Sequence, residues 1–360
     1  MAIFDVTTGQ SFATVSAAIL GSNAGDVIQV PAGVYHEDFP KITHDLTIQG
    51  VGGMATLTPL LTVNPGPGDP VYQMPSNGQG ILVTRGAVTL DHLELTGAAA
   101  ADGNGAGVRY ETGTLTLTNS WLHGNQNGLL ANPNAGANII IDRSEFDHNG
   151  AGDGYTHNLY VNQIGTLSIS NSYFHDPVGG HEIKSRADTT IITGTRIQDQ
   201  GGDASFSVDL PNGGIGLITS SVIEKGSDAP NWFLVHYGGE SVLADGSMLT
   251  IGGVTVINNY AAPELRQSFV YEESLLGSGE MAPVAVSGST FYGFVQPQLL
   301  AGPGEVQVPG ADGGGNAFLP LVQQPGLDTS HPWEVPEPAM APLLALALGC
   351  VVLFRRRRAS

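Results

Sequence analysis

Lys184 and Arg186 are the residues most suited to binding chemistry, because they lie close together on a strongly acidic chain. The 360-residue sequence has 13 lysines and arginines against 33 aspartates and glutamates, a formal net charge of −20. Four of those basic residues are the consecutive arginines 355–358. A local pair of cations on such a chain could hold the carboxylate groups of an acidic ligand.

Strand alternation predicts which side chains accompany this pair. In the segment HEIKSRA, Ile183 points inward, so Lys184 and Arg186 point outward. In WFLVHYG the same rule turns Phe233 inward and Leu234 outward. Applied to all the neighbouring apolar segments, it predicts one outward column of Arg109, Leu130, Tyr160, Lys184, Asp209 and His236, with Asn158, Glu182 and Trp232 beside it.

The predicted column contains the groups needed for β-elimination of a uronate sugar. That reaction requires a base, an acid for the leaving oxygen, and positive charge near the carboxylate. Lys184 could be the base if Arg186 lowers its pKa, with Tyr160 or His236 as the acid. The substrate-binding candidates are Arg109, Asn158, Glu182, Asp209 and Trp232. Alternatively, the charged residues form exposed ion pairs, worth about 0–1 kcal/mol each.

A second polar column follows the apolar anchor of each repeat. Carboxylates and imidazoles converging at coil spacing could hold divalent cations, so Ca²⁺ is a candidate cofactor, although no residue is assigned as a metal ligand. The other interpretation is a solvated row of turns. The residues are His123, Asp147, His175, Gln198 and Glu224, with His148 and Asp176 adjacent.

Internal repeats predict the scaffold that positions both columns. The chain has 50 glycines and 22 prolines, and six segments share an apolar strand, a small residue, an apolar anchor and a polar turn. Two or three short strands in each repeat of about 24 residues are typical of an all-β solenoid. The anchors are Leu122, Phe146, Phe174, Ile197, Ile223 and Val256, extended by Leu95 and Phe291.

The N-terminal residues carry a resemblance to a known family. GDVIQVPAGVYHED, residues 25–38, and LTIQGVGG, residues 46–53, resemble the opening coils of the pectate-lyase-like family. The resemblance implies a right-handed parallel β-helix with a short N-terminal capping helix. Residues 12–20 fit that helix, with Phe12, Val15, Ile19 and Leu20 on one face.

A second, shorter resemblance concerns the Lys184 segment. EIKSRADTTIITGTRI resembles the stretch that holds the catalytic lysine in alginate-lyase and chondroitinase-B-type β-helices. It implies a polysaccharide lyase. The catalytic arginine of those enzymes lies on the following coil, where this chain has Ser207 and Asp209, so Arg186 would have to replace it.

The C-terminus resembles a PEP-CTERM sorting signal of Gram-negative bacteria. An uncharged stretch, residues 339–354, predicts a transmembrane helix. The resemblance implies export to the cell envelope or beyond, processing by an exosortase-type enzyme, and association with extracellular polysaccharide. We expect a start upstream of MAIFDVTTGQ, which has no secretory signal. The matching residues are Val335, Pro336, Glu337, Pro338, Arg355, Arg356, Arg357 and Arg358.

These features predict three regions: a β-helix over residues 1–316, a Pro-rich linker over 317–334, and the sorting tail over 335–360. The acidic body excludes general nucleic-acid binding, and the lone Cys350 excludes an intrachain disulfide. We expect a monomer that acts on or binds polysaccharide. The chemistry leaves two functions open, a uronate-type polysaccharide lyase or a non-catalytic carbohydrate-binding or coat protein.

Overall fold

The chain winds into a right-handed parallel β-helix, as the repeats and the family resemblance predicted. The computed structural model describes residues 2–60, 77, 79–295, 298–308 and 311–334. Most coils contribute three strands, which stack in register on the strands of the next coil. Three sheets, here named A, B and C in the order in which a coil visits them, therefore run along the body.

The strands of sheet A are Asn127–Ala131, Leu159–Val161, Ile183–Ser185, Val208–Leu210, Val235–Tyr237, Val270–Glu272 and Leu300–Gly302, with Val306–Val308 antiparallel at its end. Those of sheet B are Asn134–Asp142, Ile164–Ser170, Thr189–Thr193, Ile215–Thr219, Met248–Gly252 and Val284–Ser287. Those of sheet C are Leu93–Thr96, Trp121–His123, Glu145–Asp147, Tyr173–His175, Arg196–Gln198, Val222–Lys225, Thr255–Asn258, Thr290–Tyr292 and Ala317–Leu319.

Longer strands build the first coils by bending from one sheet into the next. They are Asp26–Glu37, Leu46–Pro59, Gly80–Asp91 and Ala106–Thr118. Short 3₁₀ helices lie at Pro263–Leu265, Pro303–Glu305, Leu321–Gln323 and Pro332–Glu334. Among the described residues no helix is both long enough and apolar enough to cross a membrane.

The predicted anchors form a continuous stack through the core. Leu122 pairs with Phe146, and Phe146 pairs with Phe174 on the next coil. The register continues to Val256 and Phe291, and every one of these anchors is buried. Stacking apolar side chains coil on coil removes them from water without a second layer of structure, which is the main stabilisation of a solenoid.

The corner between sheets B and C explains the small residue in each repeat. One residue bends the chain with a positive φ, for example Asn119, Arg143 and Asn171 at φ 48°, 44° and 48°. A hydroxyl residue follows, and its oxygen accepts a hydrogen bond from the backbone of the preceding coil: Ser144 accepts from the N–H of Ser120 at 3.3 Å. This ladder satisfies backbone donors that the bend removes from the sheet.

A short helix, Val15–Gly21, lies at the N-terminal end of the solenoid. Thr14 caps it by accepting from the N–H of Ala17, and the Glu37 carboxylate accepts from the N–H groups of the first turn. The helix buries Val15, Ala18 and Ile19. The predicted helix face was wrong at two positions, because Phe12 belongs to the strand Gln10–Phe12 and Leu20 is 75% exposed.

The residues predicted as a linker, 317–334, run back along sheet C. Ala317–Leu319 pairs with Thr290–Tyr292, and the chain then passes over earlier coils. Arg196 donates to the backbone oxygen of Asp328 and pairs with its carboxylate at 2.9 Å. Trp333 lies 5.8 Å from Trp121, centroid to centroid. We name residues 320–334 the strap. The predicted sorting tail, 335–360, lies outside the described residues.

Candidate functional site

The predicted outward column exists, and it lies on sheet A. Tyr160 pairs with Lys184, Lys184 with Asp209, and Asp209 with His236, each on successive parallel strands. Arg109 and Leu130 precede Tyr160 in the same register. Because the alternate residues of these strands face the apolar core, the column must face outward.

Asp209 is the centre of the charge network on this face. Its side chain is 2% exposed, and its carboxylate lies 2.9 Å from Lys184 Nζ, 2.8 Å from His236 Nδ1 and 3.3 Å from His181 Nε2. Burial alone would raise its pKa, but these partners outweigh burial and lower it. Asp209 is therefore an anion that holds three neighbouring side chains in place.

Lys184 and Arg186 both bind the carboxylate of Glu240, which lies on the turn after the next-but-one strand of sheet A. Lys184 Nζ lies 3.0 Å from it, and Arg186 donates through Nε and a terminal nitrogen at 2.5 Å. Burial lowers the pKa of Lys184, but Asp209 and Glu240 more than compensate, so the pKa is raised. The expectation that Arg186 lowers this pKa is wrong, and Lys184 is a protonated donor.

Aromatic and imidazole rings run along the same face. Phe206 stacks on His236 at 4.6 Å, Phe233 on Tyr271 at 4.8 Å, and His157 on His181 at 4.8 Å between centroids. We name this set the ring ladder: Tyr160, His157, His181, Phe206, His236, Tyr271, Phe233 and Trp232.

Backbone donors fix the state of two histidines in the ring ladder. The N–H of His181 donates to His157 Nδ1 at 3.0 Å, and the N–H of Phe206 donates to His181 Nδ1 at 3.2 Å. Each Nδ1 must then be unprotonated, which leaves the proton on Nε2. Burial lowers the pKa of His181 to about 4, in agreement with a neutral ring. Neither Nδ1 has a lone pair free to act as a base.

Arg186, Arg109 and Trp232 occupy different parts of the face. The Arg186 guanidinium lies 4.8 Å from the Tyr160 ring centroid, so it joins the charge network to the ring ladder. Arg109 lies two coils before Tyr160 and donates to Asn132. Trp232 stacks on Phe233 at the other end. A depression of about 390 Å³ borders Arg186 and is lined by Asp188, Ser241 and Asp245, and Lys184 is not part of its lining.

Two predicted binding residues do not reach this surface. Asn158 and Glu182 are both fully buried, and Asn158 Nδ2 donates to Glu182 Oε2 at 2.6 Å inside the corner between sheets C and A. They precede the strands, where the chain still turns, so alternation does not apply to them. The same cause reverses the predicted orientations of Phe233 and Leu234: Leu234 enters the core, while Phe233 stacks on outward Tyr271.

A buried polar cluster at the corner between sheets C and A was not predicted. Lys225 is fully buried and donates through Nζ to the backbone oxygens of Ala204 and Ser205. Burial raises the pKa values of Glu182, Asp199 and Glu224, and lowers that of Lys225. The sequence did not distinguish this cluster, because a polar turn follows the anchor in every repeat.

The second predicted column is partly interior. His123 binds Glu94, and Glu224 is fully buried, where it accepts from Asn259 and from the N–H of Gln200. Gln198 is also buried, so the column does not form one exposed ladder. Asp147 and His175 do converge, together with Glu145, which the sequence analysis missed because it precedes its anchor rather than following it.

Comparison with known proteins finds distant similarity to solved structures. No protein-family model and no curated protein matches the chain. Among solved structures, a pectin methylesterase mutant in complex with a hexasaccharide is 12% identical, with 83% of this chain and 78% of that chain covered and a TM-score of 0.34. The pectin methylesterase PemA from Erwinia chrysanthemi is 11% identical, with 93% and 97% covered and a TM-score of 0.38.

Proposed function

We propose that the outward face of sheet A binds an acidic polysaccharide without cleaving it. The observation that carries this proposal is Glu240, whose carboxylate lies between Lys184 and Arg186. A uronate carboxylate has the same charge and shape and could take that place. Because the Glu240 side chain is 37% exposed and belongs to a turn, it can leave the cations at little cost.

The ring ladder supplies the second part of the proposed binding surface. Tyr160, Phe206, Trp232 and Tyr271 are partly exposed and follow the solenoid axis. Aromatic faces bury the apolar faces of sugar rings, while neighbouring charged groups bind hydroxyl and carboxylate oxygens. A linear sugar chain lying along the axis would contact several coils at once.

Cleavage by β-elimination is the second candidate function. Lys184 and Tyr160 lie side by side on neighbouring strands, which places an amine and a phenol hydroxyl next to each other. The raised pKa of Lys184 disfavours it as the base. An assay of polyuronates for the ultraviolet absorbance of an unsaturated product separates the two functions. Binding without product supports our proposal, and product that disappears in Lys184→Ala supports the lyase.

A panel of acidic and neutral polysaccharides tests the binding proposal. Wild type should retain an acidic polymer, and Arg186→Gln should retain it less. Arg85→Gln is a matched control, because Arg85 also pairs with a surface glutamate but in a distant coil. Equal retention by the two variants, or no retention of any acidic polymer by wild type, contradicts the proposal.

We also propose that the protein is exported and sorted through its C-terminus. The sequence supports this with Val335–Pro338, the apolar stretch 339–354 and Arg355–Arg358. Fractionation of the producing cells should find the full chain in the envelope or medium after processing. A chain ending at residue 334 that reaches the same fraction with the same processing would contradict this proposal.

A further inference from the structure

Glu145, Asp147 and His175 form a compact group of metal-binding side chains on sheet C. One ligand atom from each lies within 4.8 Å of the others. The two carboxylates are on either side of the anchor Phe146, and His175 is on the next coil, opposite Asp147. Glu145 and Asp147 are 2% and 5% exposed. Buried carboxylates require cations or hydrogen-bond donors, and here Trp121 and His148 contact Asp147 while His175 and His331 contact Glu145.

A further carboxylate orients the imidazole of His175. Asp176 Oδ2 lies 2.8 Å from His175 Nδ1, while His175 Nε2 faces Glu145 Oε1 at 3.1 Å. A metal-bound histidine characteristically donates its other nitrogen to a carboxylate, which fixes the tautomer and the ring orientation. Asp176 lies outside the group and supplies that second contact.

The strap adds a fourth candidate ligand from a distant part of the chain. His331 Nδ1 lies 2.8 Å from Glu145 Oε2, and the two residues are 186 positions apart. The indole of Trp333 stacks on His331 at 4.7 Å, next to Trp121. The aromatic rings border this side of the group, where the His331 side chain is 41% exposed.

We infer that Glu145, Asp147, His175 and His331 bind a Zn²⁺ ion that fastens the strap to the solenoid. Zinc bonds of about 2.0–2.2 Å place tetrahedral ligand atoms about 3.3 Å apart, so the three atoms that now lie within 4.8 Å of one another must draw together around the ion. His175 and His331 contact different oxygens of Glu145, so His331 must also move towards the ion. Two imidazoles and two carboxylates suit zinc better than Ca²⁺, which prefers oxygen ligands alone. This inference does not depend on the sugar-binding face of sheet A.

Titration of the full chain with ZnCl₂, followed by calorimetry, tests the site. We expect one ion per chain, with Asp176→Asn weakening zinc affinity by about 10–100-fold. Asparagine suits Asp176, whose φ is 45°. His331→Ala should weaken the affinity further, and because His331 belongs to the strap it leaves the coils intact. His36→Ala, on an exposed residue far along the sequence, is the control.

Zinc should also slow proteolytic cleavage of the strap in wild type but not in His331→Ala. This readout separates a site that includes the strap from one on sheet C alone. No zinc binding by wild type, equal affinities of His331→Ala and His36→Ala, or Ca²⁺ binding as tight as that of zinc would each overturn the inference. If Asp176→Asn fails to fold, the zinc affinity of His331→Ala relative to that of His36→Ala tests the inference.

Discussion

Lys184 and Asp209 form an ion pair on neighbouring strands, with Nζ 2.9 Å from Oδ2. Asp209 is buried, and Lys184 is partly buried. The β-helix register places them opposite each other, and His236 and His181 close the remaining sides of the carboxylate. The pair contributes to the raised pKa of Lys184 and, after His236 and His181, to the lowered pKa of Asp209. It therefore makes Lys184 a fixed cation on this face.

Removing Lys184 should destabilise the protein because it leaves Asp209 buried without one of its three cationic or hydrogen-bonding partners. We expect Lys184→Met to lower the free energy of unfolding by roughly 3 kcal/mol, as broken buried pairs do. Glu240→Gln should cost less than about 1 kcal/mol, since Glu240 is partly exposed. Urea unfolding followed by circular dichroism measures both, and equal losses would refute the buried pair.

The stabilising contribution of protonated Glu224 should fall as the pH rises from 5 to 7.5. Burial raises its pKa to about 7 from the usual 4.5 of a glutamate. The folded chain therefore holds a proton that the unfolded chain releases, and this contribution, complete below pH 4.5, is lost as the pH rises through 7. The raised pKa values of Asp199 and Glu272 act in the same direction, whereas the lowered pKa values of His157 and His181 act in the opposite direction.

Glu224→Gln should flatten this decline by up to about 3 kcal/mol, since one pKa unit corresponds to about 1.4 kcal/mol. Thermal unfolding at several pH values measures the slope. Glu264→Gln, on an exposed residue, should keep the wild-type slope. An unchanged slope in Glu224→Gln would mean that this carboxyl group does not carry the effect.

Arg196 should hold the strap in the absence of added metal. Its guanidinium binds Asp328 and the backbone oxygen of Ser330, and it lies 4.3 Å from the centroid of the Tyr173 ring. We expect Arg196→Gln to accelerate proteolysis within residues 320–334 several-fold, while the body stays intact. Mass spectrometry of the fragments identifies the cut, with Arg85→Gln as the control. Equal cleavage rates would show that other contacts hold the strap.

The sequence predicted regular strands well and corners poorly. Phe146 and Phe174 recur at coil spacing between alternating residues, so both the coil and the column through Lys184 could be predicted. Asn158 and Leu234 lie where the chain turns between sheets, and there the alternation that assigns faces does not apply. The orientation of such residues depends on the corner geometry of the neighbouring coils.

Long-range partners were equally hidden from the sequence. Glu240 reaches Arg186 from 54 positions away, and His331 reaches Glu145 from 186 positions away. Neither contact follows from the spacing of the repeat, because both come from turns and from the strap. The pKa of Lys184 could not be predicted for the same reason: its direction depends on Glu240 and Asp209 together.

Binding of one homogeneous oligouronate tests the central claim most directly. Calorimetric titration should rank the affinities as Glu240→Gln above wild type and wild type above Arg186→Gln. Each step should be roughly fivefold, corresponding to about 1 kcal/mol for a partly exposed ion pair. The account predicts this order because Glu240 competes with the ligand carboxylate for Lys184 and Arg186. Equal affinities of Glu240→Gln and wild type, or tighter binding by Arg186→Gln, would contradict it.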